Sequence, residues 1–95
     1  MKLLKIVKSR KKDKKWDALF ESDGKQKVVS FGSANMTDYT LGASEEQKAA
    51  YRKRHKRDLD TGDPTRPGFL SYYILWGQSR DMDENERAYR KRFNL

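Results

Sequence analysis

Asp23-Gly24 constrains the fold of this chain more than any other two residues. Both central positions of a type I′ turn need positive φ, and Asp-Gly between alternating apolar residues is a strong short hairpin signal. Lys15 to Glu21 (KWDALFE) alternates strictly, with Trp16, Ala18 and Phe20 on one face. Lys25 to Phe31 (KQKVVSF) reads as its partner. A two-residue turn sets Ala18 opposite Val29 and Trp16 opposite Phe31 on one face, and Asp17 opposite Ser30 on the other. Turn chemistry and hydrophobic pattern therefore specify one register. Lys2 to Lys8 (KLLKIVK) supplies a first strand, with Leu4 and Ile6 on one face and Leu3 and Val7 on the other. The prediction is an antiparallel β-meander over about residues 2–8, 15–21 and 25–32.

The remainder reads as helical. Gly32 to Gly42 is a connecting loop rich in Gly, Ser, Asn and Thr. Ser44 and Gln47 have capping-box spacing, so a helix is predicted over about 45–59, with Tyr51, His55 and Leu59 on one stripe. Asp60 to Gly68 (DTGDPTRPG) is turn chemistry, and an Asp63–Arg66 ion pair would fix it. Phe69 to Trp76 (FLSYYILW) fits a buried strand or a buried helix by periodicity. Pro67 at its start and Gly77 as a C-terminal cap favour a helix over about 67–76. A last amphipathic helix, about 83–93, turns Met82, Tyr89 and Phe93 inward. The expected fold is α+β: a three-stranded antiparallel sheet followed by three helices packed on one face, a single domain over residues 1–95.

Composition narrows the function classes. Charged residues make up 38% of the chain, against about 25% in ordinary domains, yet 12% is aromatic, too much for a disordered basic tail. With no cysteine there is no disulfide framework, Cys-based zinc site or thiol catalysis, which fits a reducing compartment. No apolar run reaches the roughly 20 residues of a membrane span. Lys5 and Lys8 interrupt the first apolar stretch, which argues against a secretory signal.

The net charge of +8 is unevenly spread. Residues 1–15 carry +7 and residues 43–57 carry +4, while the segments 16–42 and 58–77 carry −2 each. Charge grouped in this way suits a polyanionic partner. The candidate phosphate-binding residues are Lys8, Arg10, Lys11, Lys12, Lys14 and Lys15 in and beside a hairpin loop. Arg52, Lys53, Arg54, Lys56 and Arg57 form a helix ridge, and Arg90, Lys91 and Arg92 end the last helix. Arg52 to Arg57 also fits a loose nuclear-localisation pattern. Either large cluster alone could simply be a solvated surface, and the two together strengthen the functional reading.

Other candidates favour structural roles. Trp16, Tyr39, Tyr72, Tyr73 and Trp76 could stack on unpaired bases if exposed, but large aromatics in a small domain serve first as core. His55, the only histidine, has no nucleophile motif beside it and reads as a partly buried structural residue. Asp58, Asp60 and Asp63 fail the calcium-loop spacing, since Gly62 and Phe69 occupy ligand positions. No phosphate-loop, H-E-x-x-H or G-x-S-x-G motif occurs. The chain therefore reads as non-enzymatic, with no cofactor or metal.

A set of segments extends this reading: Asp38-Tyr39-Thr40, Tyr51 to His55, Thr61 to Arg66, Gly68 to Ser71, Tyr73 to Trp76, and Tyr89 to Phe93. In that order they resemble an uncharacterised family of small basic proteins encoded by large double-stranded DNA viruses of algae and amoebae. The resemblance implies a viral origin and a compact fold; with it the expected partner is DNA ahead of RNA and the expected location the virion or the host nucleus or cytoplasm, while the interrupted N-terminal stretch argues against secretion. The resemblance transfers no site. The expectation is a monomer or homodimer that binds nucleic acid through phosphate contacts with weak sequence specificity and has no membrane role. The alternative is a viral structural or assembly protein whose basic faces meet acidic proteins, with part of Phe69 to Trp76 as an exposed docking patch.

Overall fold

Asp23 and Gly24 both take positive φ, 52° and 79°, and the hairpin closes around them. The computed structural model describes all 95 residues. Strands β1 (Lys2–Lys8), β2 (Lys14–Ser22) and β3 (Lys25–Ser33) form one antiparallel sheet in the order β1-β2-β3. Trp16 pairs with Phe31, Asp17 with Ser30 and Ala18 with Val29, the register that turn and pattern required. Three helices follow. α1 (Glu45–His55) runs on into a 3₁₀ turn to Thr61. α2 (Pro67–Leu70) runs on into a π-type turn, Ser71–Leu75. α3 (Met82–Phe93) closes the chain.

β1 departs from simple alternation. Leu3 pairs with Phe20 and Ile6 with Ala18, with a register shift between Leu3 and Lys5. A bulge at Leu4 absorbs one residue, so Leu3 and Ile6 face the same side. Leu3 is 1% exposed and Leu4 39%. The expected pairing of Leu4 with Ile6 is thus corrected. Arg90 of α3 covers the bulge: its guanidinium donates to the carbonyls of Leu3 and Leu4.

The core lies between one sheet face and the helices. Ala18, Phe20, Val29 and Phe31 meet Phe69, Leu70, Ile74, Leu75, Trp76 and Tyr89. Burying each large apolar side chain contributes about 1.5–3 kcal/mol. Phe69 to Trp76 is core throughout, with only Tyr73 half-exposed, so it is not an exposed docking patch. The Trp76 amide donates to the Ser71 carbonyl at 3.0 Å, five residues back, which widens the last turn. Gly77 does not cap this helix in a left-handed conformation. It is there for space, because a Cβ would lie 2.2 Å from the Tyr73 carbonyl oxygen. Buried Asn85 then ties α2 to α3 by donating to the carbonyls of Ile74 (2.8 Å) and Ser79 (2.7 Å).

α1 is built differently. Ser44 and Gln47 form the expected capping box, with bonds of 3.1 and 2.8 Å, yet no residue of α1 is fully buried. Tyr51 attaches the helix by stacking on Trp76, ring centroids 4.4 Å apart and planes 9° from parallel.

Candidate nucleic-acid interface

The first basic cluster is mounted on buried acids. β2 carries Lys15 and Asp17 two residues apart, the spacing of one strand face. Asp17, on the face away from the core, is 2% exposed. Its carboxylate accepts from the hydroxyls of Ser9 and Ser30, each at 2.6 Å, and from the Arg10 amide at 3.3 Å. Those hydroxyl bonds hold its carboxyl below the ordinary value of 3.8. Ser9 and Arg10 open the loop of residues 9–13, so Asp17 fixes how the loop leaves the sheet. Arg10 extends into solvent, 82% exposed, with its Nε 3.7 Å from Asp17. Lys8, Lys11 and Lys12 are also exposed.

Lys15 points inward. Its ammonium donates to the Asp38 carboxylate at 2.6 Å, and its side chain is 12% exposed. Asp38 also accepts from the Thr40 amide (2.8 Å), the Thr40 hydroxyl (2.5 Å) and the Leu41 amide (3.2 Å). Lys15 thereby anchors the segment after β3, and its charge is neutralised locally.

The second cluster divides along α1. Arg52 turns inward, donating to the carbonyls of Tyr72 (3.2 Å) and Trp76 (2.7 Å) with its guanidinium 4.1 Å from the centre of the Tyr72 ring. Lys53, Arg54, Lys56 and Arg57 are exposed. His55 is 39% exposed on its side chain, stacks on Tyr51 with centroids 4.1 Å apart, and shares a 3.0 Å hydrogen bond between Nδ1 and Asp58. In the third cluster, Arg90 is engaged by Glu86 (2.8 Å) and the bulge carbonyls. Lys91 is exposed, and Arg92 lies 5.1 Å from the Tyr73 ring centre.

Clefts join these groups. One of about 480 Å³ has Phe31, Leu75, Tyr51 and Trp76 in its walls, Lys14 and Lys15 from β2 on one side, and Arg54 and His55 from α1 on the other. A second, about 580 Å³, runs along Lys8 to Lys15 beside Trp16. A third, about 590 Å³, joins Lys11 and Lys14 to Lys27 and Arg66. Lys14 borders all three. On the other flank of α1, Arg52 and Lys56 share a cleft of about 430 Å³ with Arg92. The hairpin cluster and the helix ridge therefore converge at Lys14 and Arg54. Lys53, Arg57 and Lys91 border none of these clefts.

Asp17 and Asp38 escaped the sequence reading as site residues. The Asp17–Ser30 pairing was visible in the register, but Ser9 as a further partner was not. Asp63 does form the expected local pair: it accepts from the Thr65 amide and hydroxyl and lies 3.7 Å from Arg66.

Comparison with curated proteins found no match, and comparison with solved structures found none. Residues 4–55 match the model of a family of unknown function, DUF5754. The match runs from within β1 through α1 and takes in the hairpin cluster and Arg52 to Arg54 of the second, stopping short of Lys56 and Arg57. Covering just over half of the chain, it establishes membership: the chain belongs to the DUF5754 family of unknown function.

Proposed function

We propose that this is a small non-enzymatic basic protein that binds nucleic acid mainly through phosphate contacts, with weak sequence specificity. The carrying observation is the cleft that sets Lys14 of the hairpin across from Arg54 of α1. Exposed Arg10, Lys11 and Lys12 continue the field on the hairpin side, and Lys53, Lys56 and Arg57 add exposed charge elsewhere along α1 and the turn after it. Two of the acids around the hairpin are turned to other work, Asp38 holding Lys15 and Asp17 holding the loop backbone, while Asp13 stays exposed in the loop. Ammonium and guanidinium groups facing solvent from two rigid elements match a phosphate chain, whose neutralisation releases condensed counterions. The resemblance to proteins of large DNA viruses ranks DNA ahead of RNA.

The test is binding of duplex DNA, single-stranded DNA and RNA at two salt concentrations. The expected result is affinity that falls with salt, log K dropping about 0.9 per decade of salt for each duplex phosphate neutralised. Absence of binding at low salt, or binding indifferent to salt, overturns the proposal.

A second reading has the cations meeting acidic partners in a virion. Its support is the outer sheet face, where Leu4, Val7 and Val28 are 37–43% exposed beside Lys2 and Lys5. Copurification with acidic virion proteins and not with nucleic acid would favour it.

A further inference from the structure

The cleft between β2 and α1 has a wall that phosphate binding does not need. Tyr51 and His55 lie one helical turn apart on α1, and Trp76 lies on the other side of Tyr51. The three rings form one stacked column, with centroid spacings of 4.1 and 4.4 Å and interplanar angles of 26° and 9°. All three line the cleft. Trp76 is 7% exposed and closes the inner end, whereas His55, with 39% of its side chain exposed, is the open end. The His55–Asp58 hydrogen bond holds the imidazole in its plane. Asp58 can stand there because the second residue of α2 is Gly68: a Cβ at Gly68 would lie 2.8 Å from the Asp58 Cβ.

We infer that this cleft takes one unpaired nucleobase of a single strand, its ring stacked on the exposed end of the Trp76–Tyr51–His55 column and its flanking phosphates met by Lys14 and Arg54. The inference rests on the nucleic-acid reading and adds to it a preference for unpaired bases. Each observation bears on one part of the nucleotide. The π-faces suit any base, and such stacking tolerates sequence. The cations on both rims suit the phosphates on either side of it. A cleft of about 480 Å³ falls within the 300–1,000 Å³ range of small-molecule sites. A base paired within a duplex keeps its faces against its neighbours and cannot enter.

The experiment uses three probes on the whole chain: a twelve-residue thymidylate strand, an abasic strand with the same number of phosphates, and a duplex of equal length. Trp16→Phe leaves Trp76 as the only tryptophan, so its fluorescence reports on the column. Thymidylate is expected to bind about tenfold tighter than the abasic strand, the worth of one stacked base, and to quench Trp76. His55→Ala should remove that advantage and leave the salt dependence intact. Ala50→Gln, an exposed helix position on the cleft, should do the same by filling the mouth without changing charge or fold. Equal affinity for thymidylate and abasic strands, or an advantage that survives Ala50→Gln, overturns the stacking site while phosphate binding stands. Failure of all three probes to bind overturns both.

Discussion

The hairpin loop and α1 carry similar charge but are fastened to the fold by opposite means. The hairpin is fastened by acids: Asp38 takes Lys15, and Asp17 takes Ser9, Ser30 and the Arg10 amide. α1 is fastened by carbonyls and ring faces: Arg52 donates to Tyr72 and Trp76, and Tyr51 stacks on Trp76. Each cluster thus gives one cation to the structure and turns the others outward. The consequence for the field differs. A buried carboxylate cancels the charge it holds, whereas a backbone carbonyl satisfies hydrogen bonds and leaves the guanidinium charge in place. The helix ridge therefore keeps its full charge, and the hairpin loses part of its own.

This contrast is sharpest in the buried pair. Asp38→Ala strands the Lys15 ammonium and removes the acceptor of Thr40 and Leu41, and should cost about 3 kcal/mol, measured by chemical denaturation. Lys15→Met should cost less, because Asp38 keeps its three other donors. Asp17→Asn comes next, at about 2 kcal/mol, since a buried charged acceptor of two hydroxyls is replaced. Its pH signature is specific. The Asp17 carboxyl is held below its ordinary value by the Ser30 and Ser9 hydroxyls, so its contribution is present above the unfolded value near 3.8 and is lost as pH falls through the lower folded value. Stability of Asp17→Asn should therefore be flatter than that of the parent below about pH 4, read from denaturation midpoints across that range.

Arg52→Ala should destabilise by about 1–2 kcal/mol, because two inward carbonyls lose a donor. If its stability matches the parent, α1 is not held through Arg52 and the comparison fails. The smallest expected effect on folding belongs to Arg54→Ala, within about 0.5 kcal/mol, yet it should lower the salt slope of duplex binding by about 0.9. Neighbours two residues apart on one helix would then divide cleanly, one serving stability and the other binding. Substituting Lys15 together with Lys11, Lys12 and Lys14 would confuse the two effects, since Lys15 belongs to the fold.

The hairpin was legible because turn and pattern are local and agree: Asp23-Gly24 fixes the twist, and alternation fixes the register. The capping box at Ser44–Gln47 was legible for the same reason. The β1 bulge was not, because counting residues in steps of two assumes an unbroken ladder, and the reason to break it is Arg90, far along the chain. The helical reading of 67–76 held, while the π-type turn within it has no pattern of its own. Gly77 was read as a cap, but its cause is the closeness of Tyr73 and Asn85, a tertiary fact. In the site, charge counts located the three clusters and could not rank cations within them. Lys15 finds its acid 23 residues away, and the carbonyls that hold Arg52 and Arg90 leave no mark in a sequence.

Lys14 and Arg54 are proposed to act on one phosphate chain across one cleft. The direct measurement is the slope of log K against log salt for duplex DNA, in the parent chain and in a Lys14→Gln, Arg54→Gln variant of unchanged stability. The predicted result is a slope shallower by about 1.8 in the variant, two phosphates at about 0.9 each. An unchanged slope would contradict the account.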